Sequence, residues 1–245
     1  KAGRKLGKIE IDLDNLGSDS YPDYELIDID SRYDGYTDKQ LAATISKYSA
    51  GVDSLMQQWV GTTERQLDNS STELLNFFSD YVLMRGRELV DGVDFAITNK
   101  GGLRDGLPQG KFSKGHIINM LPFRNYITVL DVKGSDLEDV FDVMARRGGD
   151  GVSANVHVVY EDGDDAEAEE IMINGRKLDP DKTYRVATID YLAKGGDYMT
   201  GLTHGSKVVD SPKLVYDDLL DYFTTGKGHD KPLEGSTENR WTLED

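Results

Sequence analysis

The sequence predicts an α+β fold of mixed sheets flanked by helices. Short apolar or alternating runs of strand length recur along the 245 residues. Other stretches repeat apolar residues every three or four positions, the helical spacing. The two kinds alternate irregularly, and a hairpin signal falls among them at Asn174-Gly175. A doubly wound parallel sheet would instead alternate strand and helix regularly.

Residues 6–14, LGKIEIDLD, place Leu6, Ile9, Ile11 and Leu13 in a pattern that predicts a strand with one buried face. A second strand is expected over Tyr24–Ile29, followed by a polar linker over 30–37. Thr37-Asp38-Lys39-Gln40 has the form of a capping box. The helix it opens carries Leu41, Ile45, Tyr48, Val52, Leu55, Met56 and Trp59 on one stripe, which reads as helical core or interdomain contact. A second amphipathic helix is expected over 72–85, ending at Gly86. A strand follows at 93–98, and another at Tyr126–Lys133. Ser135-Asp136-Leu137-Glu138 caps a short helix reaching about Met144. Val156–Tyr160 reads as a buried strand, and the acidic run EDGDDAEAEE at 161–170 as a solvated loop. Asn174-Gly175 joins Ile171–Ile173 to Lys177–Leu178 as a hairpin. Thr183–Ile189 is a further strand, and 211–223 a final helix.

The net charge of -17 argues against a nucleic-acid partner, whose phosphates need a basic face. A small anion held by local arginines is compatible with it. The absence of cysteine excludes disulfides and thiolate metal sites. No apolar stretch approaches the ~20 residues of a membrane span. The opening Lys-Ala-Gly-Arg-Lys has no apolar segment behind it, so no signal peptide is expected within these residues.

Motifs of a reaction centre are not evident. His116, His157, His204 and His229 stand in no metal-binding or catalytic spacing, and neither a nucleophile elbow nor a P-loop is present. His157 alternates within its strand and reads as a packed or surface residue. The acidic run 161–170 lacks the periodicity of a calcium loop. No catalytic residue and no metal ligand is therefore assigned.

Possible ligand groups instead cluster at strand ends. The run from Thr98 offers Asn99, Gly101, Gly102 and Arg104. Its two glycines read as a tight turn, or as a floor that a ligand can approach closely. Leu121-Pro122-Phe123-Arg124-Asn125 holds an aromatic beside a proline of fixed φ. The third group is Asp190-Tyr191-Leu192-Ala193-Lys194-Gly195-Gly196-Asp197. Lys100-Gly101-Gly102 recurs in it as Lys194-Gly195-Gly196, either because two loops meet at one site or by chance. Such a set suits a nucleoside: aromatic faces stack on a base, a carboxylate accepts from ribose hydroxyls, and an arginine grips phosphate.

In these motifs the chain resembles the C-terminal domain of the 5'-nucleotidase family, which includes bacterial UDP-sugar hydrolases and animal ecto-5'-nucleotidases. "TNKGGLRDGLPQGKFSKGHIINMLPFRN", "ITVLDVKGSDLEDVF" and "DPDKTYRVATIDYLAKGGDYM" occur in the family's order, and the resemblance spans about residues 38–245. It implies that Phe123 and Tyr191 sandwich a base and that Asp197 binds ribose hydroxyls. It implies further that Asn99 touches the base, Arg104 reaches ribose or phosphate, and Gly101 and Gly102 form the floor.

The sequence also departs from the family pattern. Where relatives carry a phosphate-binding arginine, the run Arg65–Ser71 places Asp68 or Asn69, leaving Arg65 as a substitute. Arg124 replaces a glycine and is a second candidate phosphate contact. Tyr191 replaces a phenylalanine and keeps a stacking face. Residues 1–37 resemble the tail of a preceding metallophosphoesterase domain plus a linker, with 38–245 as the substrate-binding domain. The resemblance implies a hydrolase whose two divalent metals lie in that other domain, in the same or a partner chain. This chain would hold no cofactor and would be inactive alone. A periplasmic, cell-surface or secreted bacterial setting goes with it. The alternatives are a non-catalytic nucleotide-binding module and a degenerate interaction domain.

Overall fold

The computed structural model describes residues 4–11, 14, 23–36, 38–163 and 165–244. The chain divides into two compact units, Lys1–Ser54 and Leu55–Asp245.

The first unit is small. Strands β1 (Lys5–Glu10) and β2 (Asp23–Asp28) form an antiparallel ribbon, with Leu6 opposite Ile27 and Ile9 opposite Tyr24. The predicted linker contains a 3-10 helix at Ser31–Tyr36. Helix α1 spans Lys39–Met56, its last two residues falling in the second unit. Asp38 is its cap, accepting from the amides of Gln40 and Leu41; Thr37 and Leu13 lie outside the described residues. The apolar stripe forms no core here: Leu41, Ile45, Tyr48, Val52 and Leu55 are exposed. Leu6, Ile9 and Ile11 are exposed too, so β1 has no buried face. One ribbon and one helix hold too few residues to enclose an interior of their own. Trp59 is not helical either. It begins β3 (Trp59–Thr63), an element without a sequence signal.

The second unit holds three sheets. The largest has the order β12 (Ser206–Leu214), β6 (Tyr126–Lys133), β11 (Thr183–Ile189), β4 (Phe95–Thr98) and β7 (Gly151–Val152). β11 and β4 are parallel, and the other neighbours antiparallel. A second sheet has the order β10 (Arg176–Lys177), β9 (Ala168–Ile173), β8 (Val156–Tyr160) and β14 (Trp241–Leu243). The third is β13 (Pro232–Leu233), β3 and β5 (Gly110–Ser113). The hairpin at Asn174-Gly175 forms as predicted, with both residues at positive φ, as a two-residue turn requires. The solvated loop is shorter than expected, because Ala168–Glu170 join β9.

Helices cover both faces of the central sheet. Helix α2 runs Thr72–Leu89, capped by the Ser71 hydroxyl, which accepts from the Leu74 amide. Gly86 lies inside it and does not end it. A Cβ there would sit 2.6 Å from the Ala187 Cβ, so the glycine lets the helix lie close on β11. Phe95 and Val186 point to the opposite face by the alternation of a strand. There Phe95 meets Phe141 of α4 (Gly134–Ala145) at 6.1 Å between ring centroids. The predicted Ser135 cap does not form; the cap position is Lys133, two residues earlier, with no side-chain cap bond. Burial on both faces explains why β4 reads as a continuous apolar run. Helix α3 (Lys114–Met120), the short helix α5 (Asp190–Ala193) and α6 (Val215–Thr224) complete the unit. The final helix begins later than predicted because residues 211–214 extend β12.

Candidate functional site

Strand polarity brings four loops to one end of the central sheet. β4 and β11 run parallel, so the turn after Thr98 and the turn after Ile189 leave on the same side. β6 is antiparallel to β11 with Ile127 opposite Ile189, which puts the residues before β6 there as well. β7 is antiparallel to β4 with Gly151 opposite Thr98, and so adds the loop 146–150.

These loops enclose a cleft of about 310 Å³. Asn99, Gly101, Gly102 and Arg104 line it from the first loop, Phe123 from the second, and Tyr191 and Asp197 from the third. The structure thus brings together the seven residues singled out as a substrate site. Asn125, Ile189 and Arg147 line it too. Phe123 is 47% exposed and Tyr191 44%, which leaves part of each ring accessible from the cleft they line. The Arg104 guanidinium stands 5.9 Å from the Phe123 ring centroid.

The two glycines after β4 sit in a 3-10 turn, Lys100–Gly102, and neither has a positive φ. At Gly102 space, not left-handed backbone, calls for glycine: a Cβ there would lie 2.8 Å from Asn99 Oδ1, whereas one on Gly101 would make only ordinary contact, 3.7 Å from Asp197 Oδ2. The recurring Lys-Gly-Gly runs do meet: Asn99 Nδ2 donates to Asp197 Oδ2 at 2.6 Å. Asn99 is 3% exposed, and its Oδ1 has no hydrogen-bond partner. In the other loop Gly195 has φ +82°, and the Tyr191 ring packs where a Cβ on Gly196 would be. Asp197 itself has φ 54°, a left-handed conformation uncommon for a residue with a side chain.

Asp197 is the electrostatic centre of the cleft. Beside Asn99, its Oδ2 faces Arg147 Nη2 at 3.2 Å, and its Oδ1 accepts from the Tyr191 hydroxyl at 2.9 Å. Burial alone would push its pKa up. The donors Asn99, Tyr191 and Arg147 outweigh that and hold the carboxyl below its ordinary value. The bond to Asp197 in turn pushes the Tyr191 hydroxyl up, so the phenol stays protonated.

Behind this wall lies a second carboxylate. Asp150 is buried; its Oδ1 accepts from the Lys100 amide, and its Oδ2 lies 3.5 Å from Arg147 Nη1. Burial raises the Asp150 pKa against the pull of the Lys100 amide and Arg147. Lys100, Asp150, Arg147, Asp197 and Asn99 therefore close a ring of polar contacts through the floor of the cleft. Sequence reasoning passed over Arg147 and Asp150. The available signal was a third basic-Gly-Gly step, Arg147-Gly148-Gly149-Asp150, matching Lys194-Gly195-Gly196-Asp197.

The two further arginines stand apart. Arg65 pairs with Glu73, Nε to Oε2 at 2.8 Å, and lines a separate cleft with Glu64. Arg124 is exposed and does not line the cleft. The histidines take local partners: His116 Nδ1 lies 2.9 Å from the Ser113 hydroxyl, His204 bonds Asp136, and His157 contacts Thr242. Among the described residues, the one grouping dense enough for a cation is the exposed trio Glu161, Glu169 and Glu244, which shares no residue with the cleft.

The chain is similar to known proteins in sequence and in fold. The family model described as "5'-nucleotidase, C-terminal domain" matches residues 47–204. The chain is 36% identical to the protein UshA of Yersinia enterocolitica over 110 residues, which is 43% of this chain and 20% of that protein. It is 27% identical to the UshA of Escherichia coli over 165 residues, 65% of this chain and 30% of that protein. The crystal structure of a 5'-nucleotidase precursor from Thermus thermophilus shares the fold with a TM-score of 0.70 at 21% identity, covering 98% of this chain and 50% of that one. The chain thus spans a third or less of these two curated relatives.

Proposed function

This chain belongs to the 5'-nucleotidase C-terminal domain family, and on that premise we propose that it binds the nucleoside part of a nucleotide for a phosphohydrolase. One observation carries the reading: a single cleft presents two exposed aromatic side chains, a carboxylate held ionised and an arginine. A base stacks on Phe123 and Tyr191, each face contributing ~1–3 kcal/mol. Asn99 lies beside the base, and Asp197 accepts from the ribose. Arg104 directs the phosphate toward the reacting domain. Holding the ester in one orientation is the contribution this chain makes to the rate.

Hydrolysis itself would belong to a metallophosphoesterase domain in the same or a partner chain, where two divalent metals would supply Lewis-acid chemistry. The cleft here offers one carboxylate and no histidine, a donor set unsuited to a two-metal centre. The reading carries with it a periplasmic, cell-surface or secreted setting. No described helix is long and apolar enough to cross a membrane.

A second reading, a non-catalytic nucleoside-binding module, is favoured by the arginines. Arg65 is engaged by Glu73, Arg124 stands outside the cleft, and Arg147 is shared between two carboxylates. Arg104 is then the cation left for phosphate. A degenerate interaction domain predicts no nucleoside binding at all.

Calorimetric titration with adenosine and AMP, followed by a phosphate-release assay with a metallophosphoesterase partner, separates these readings. Adenosine is expected to bind, and Phe123→Ala to weaken it on the order of tenfold. AMP binding tighter than adenosine would mean that arginine still holds phosphate; phosphate release on adding a metallophosphoesterase partner supports the phosphohydrolase reading, and binding without such rescue the binding module. No binding by either ligand would sink both.

A further inference from the structure

The hydrogen bonds at Asp197 limit what it can still accept. An ionised carboxylate has about four acceptor positions, two on each oxygen. Oδ2 already takes Asn99 Nδ2 at 2.6 Å and Arg147 Nη2 at 3.2 Å. Oδ1 takes the Tyr191 hydroxyl at 2.9 Å. That hydroxyl is itself fixed, since it accepts from the Asp197 amide at 3.2 Å. Arg147 also lies 3.5 Å from the buried Asp150 carboxylate. One acceptor position on Oδ1 remains.

We propose that Asp197 engages one ribose hydroxyl, not the vicinal pair, and that Tyr191 and Arg147 set this limit. The inference rests on the nucleoside reading above. Its consequence is chemical: the sugar is selected through a single hydroxyl, so a nucleoside lacking the other one binds as well as the full ribonucleoside. Tyr191 is then more than a stacking face. Its hydroxyl occupies a position that a phenylalanine would leave to the ligand. Arg147 does the same on the other oxygen and adds a fixed cation to that wall.

The test is titration of the whole chain with adenosine, 2'-deoxyadenosine, 3'-deoxyadenosine and 2',3'-dideoxyadenosine. In the wild type at most one of the two monodeoxy nucleosides is expected to bind more weakly than adenosine, while the dideoxy nucleoside loses about tenfold or more, the worth of a hydrogen bond to a charged group. Tyr191→Phe keeps the ring and frees a position on Oδ1. Both monodeoxy nucleosides should then fall about tenfold below adenosine. Arg147→Met frees a position on Oδ2 without touching the tyrosine anchor and should give the same pattern. A wild type that already penalises both monodeoxy nucleosides about tenfold would overturn the inference while leaving the nucleoside reading intact. So would a failure of both variants to add a penalty, loss of adenosine binding in both included. Wild-type protein that binds the dideoxy nucleoside as well as adenosine would also overturn the inference alone, and one that ignores adenosine would overturn both.

Discussion

Asp197 joins backbone strain and charge at one position. Its φ of 54° costs free energy, which three side-chain donors help to offset. The same donors hold its carboxyl below the ordinary value. A depressed carboxylate contributes above its unfolded pKa and is lost only as pH falls through the lower, folded one. Adenosine affinity measured from pH 7 downward should therefore stay flat to about pH 4.5, above the ordinary Asp value of about 3.9. A loss setting in between pH 5 and 6 would mean that Asp197 is not held ionised. Seven of the cleft residues were legible from sequence because each sits in a short motif that carries the family resemblance. Arg147 was not, because its role depends on Asp150 and Asp197, and the latter is 50 positions away.

At the scale of elements, the contact between α2 and the central sheet turns on one missing side chain. Gly86 faces Ala187 so closely that a Cβ would meet it at 2.6 Å. Gly86→Val should lift the helix from β11 and cost ~1–3 kcal/mol, the range for overpacking a filled interior. Urea unfolding would measure it, and an unchanged midpoint would show that the helix can shift freely. Local pattern read α2 as ending at this glycine, since glycine commonly follows a helix. Packing gave it another use, and the helix continues to Leu89. The hairpin at Asn174-Gly175 was read correctly because its two positive φ angles are a local demand. β3, β5 and β12 left no such mark: Trp59, Gly61 and Phe112 acquire strand character only from their partners across the sheet.

The molecule as a whole concentrates its interior in one unit. Every described apolar residue that is fully buried lies between Leu67 and Trp241, and so do all the residues lining the cleft. Residues 55–245 alone should therefore fold and bind adenosine with the affinity of the full chain. Ligand at 100 times its Kd should stabilise either form by about 2.7 kcal/mol, an upward Tm shift of several degrees. A trimmed chain that fails to unfold cooperatively would show that the first unit supplies more than its own ribbon and helix.

The sequence by itself determined the α+β class, most of the strands and helices of the central sheet, the family, and the seven residues of the cleft. The class and the elements follow from short-range rules, the period of apolar residues and the chemistry of turns, and the family and the seven residues from the resemblance that the three motifs carry. Tertiary structure alone decided that the Lys-Gly-Gly loops share a hydrogen bond, that Asp150 and Arg147 stand behind Asp197, and that Arg65 and Arg124 lie away from the cleft. It also decided the exposure of the α1 stripe, which periodicity alone reads as buried. The reason is one of distance along the chain. Parallel and antiparallel pairing around β4 and β11 joins residues 50 to 100 positions apart, and neither local propensity nor spacing records which of them will meet.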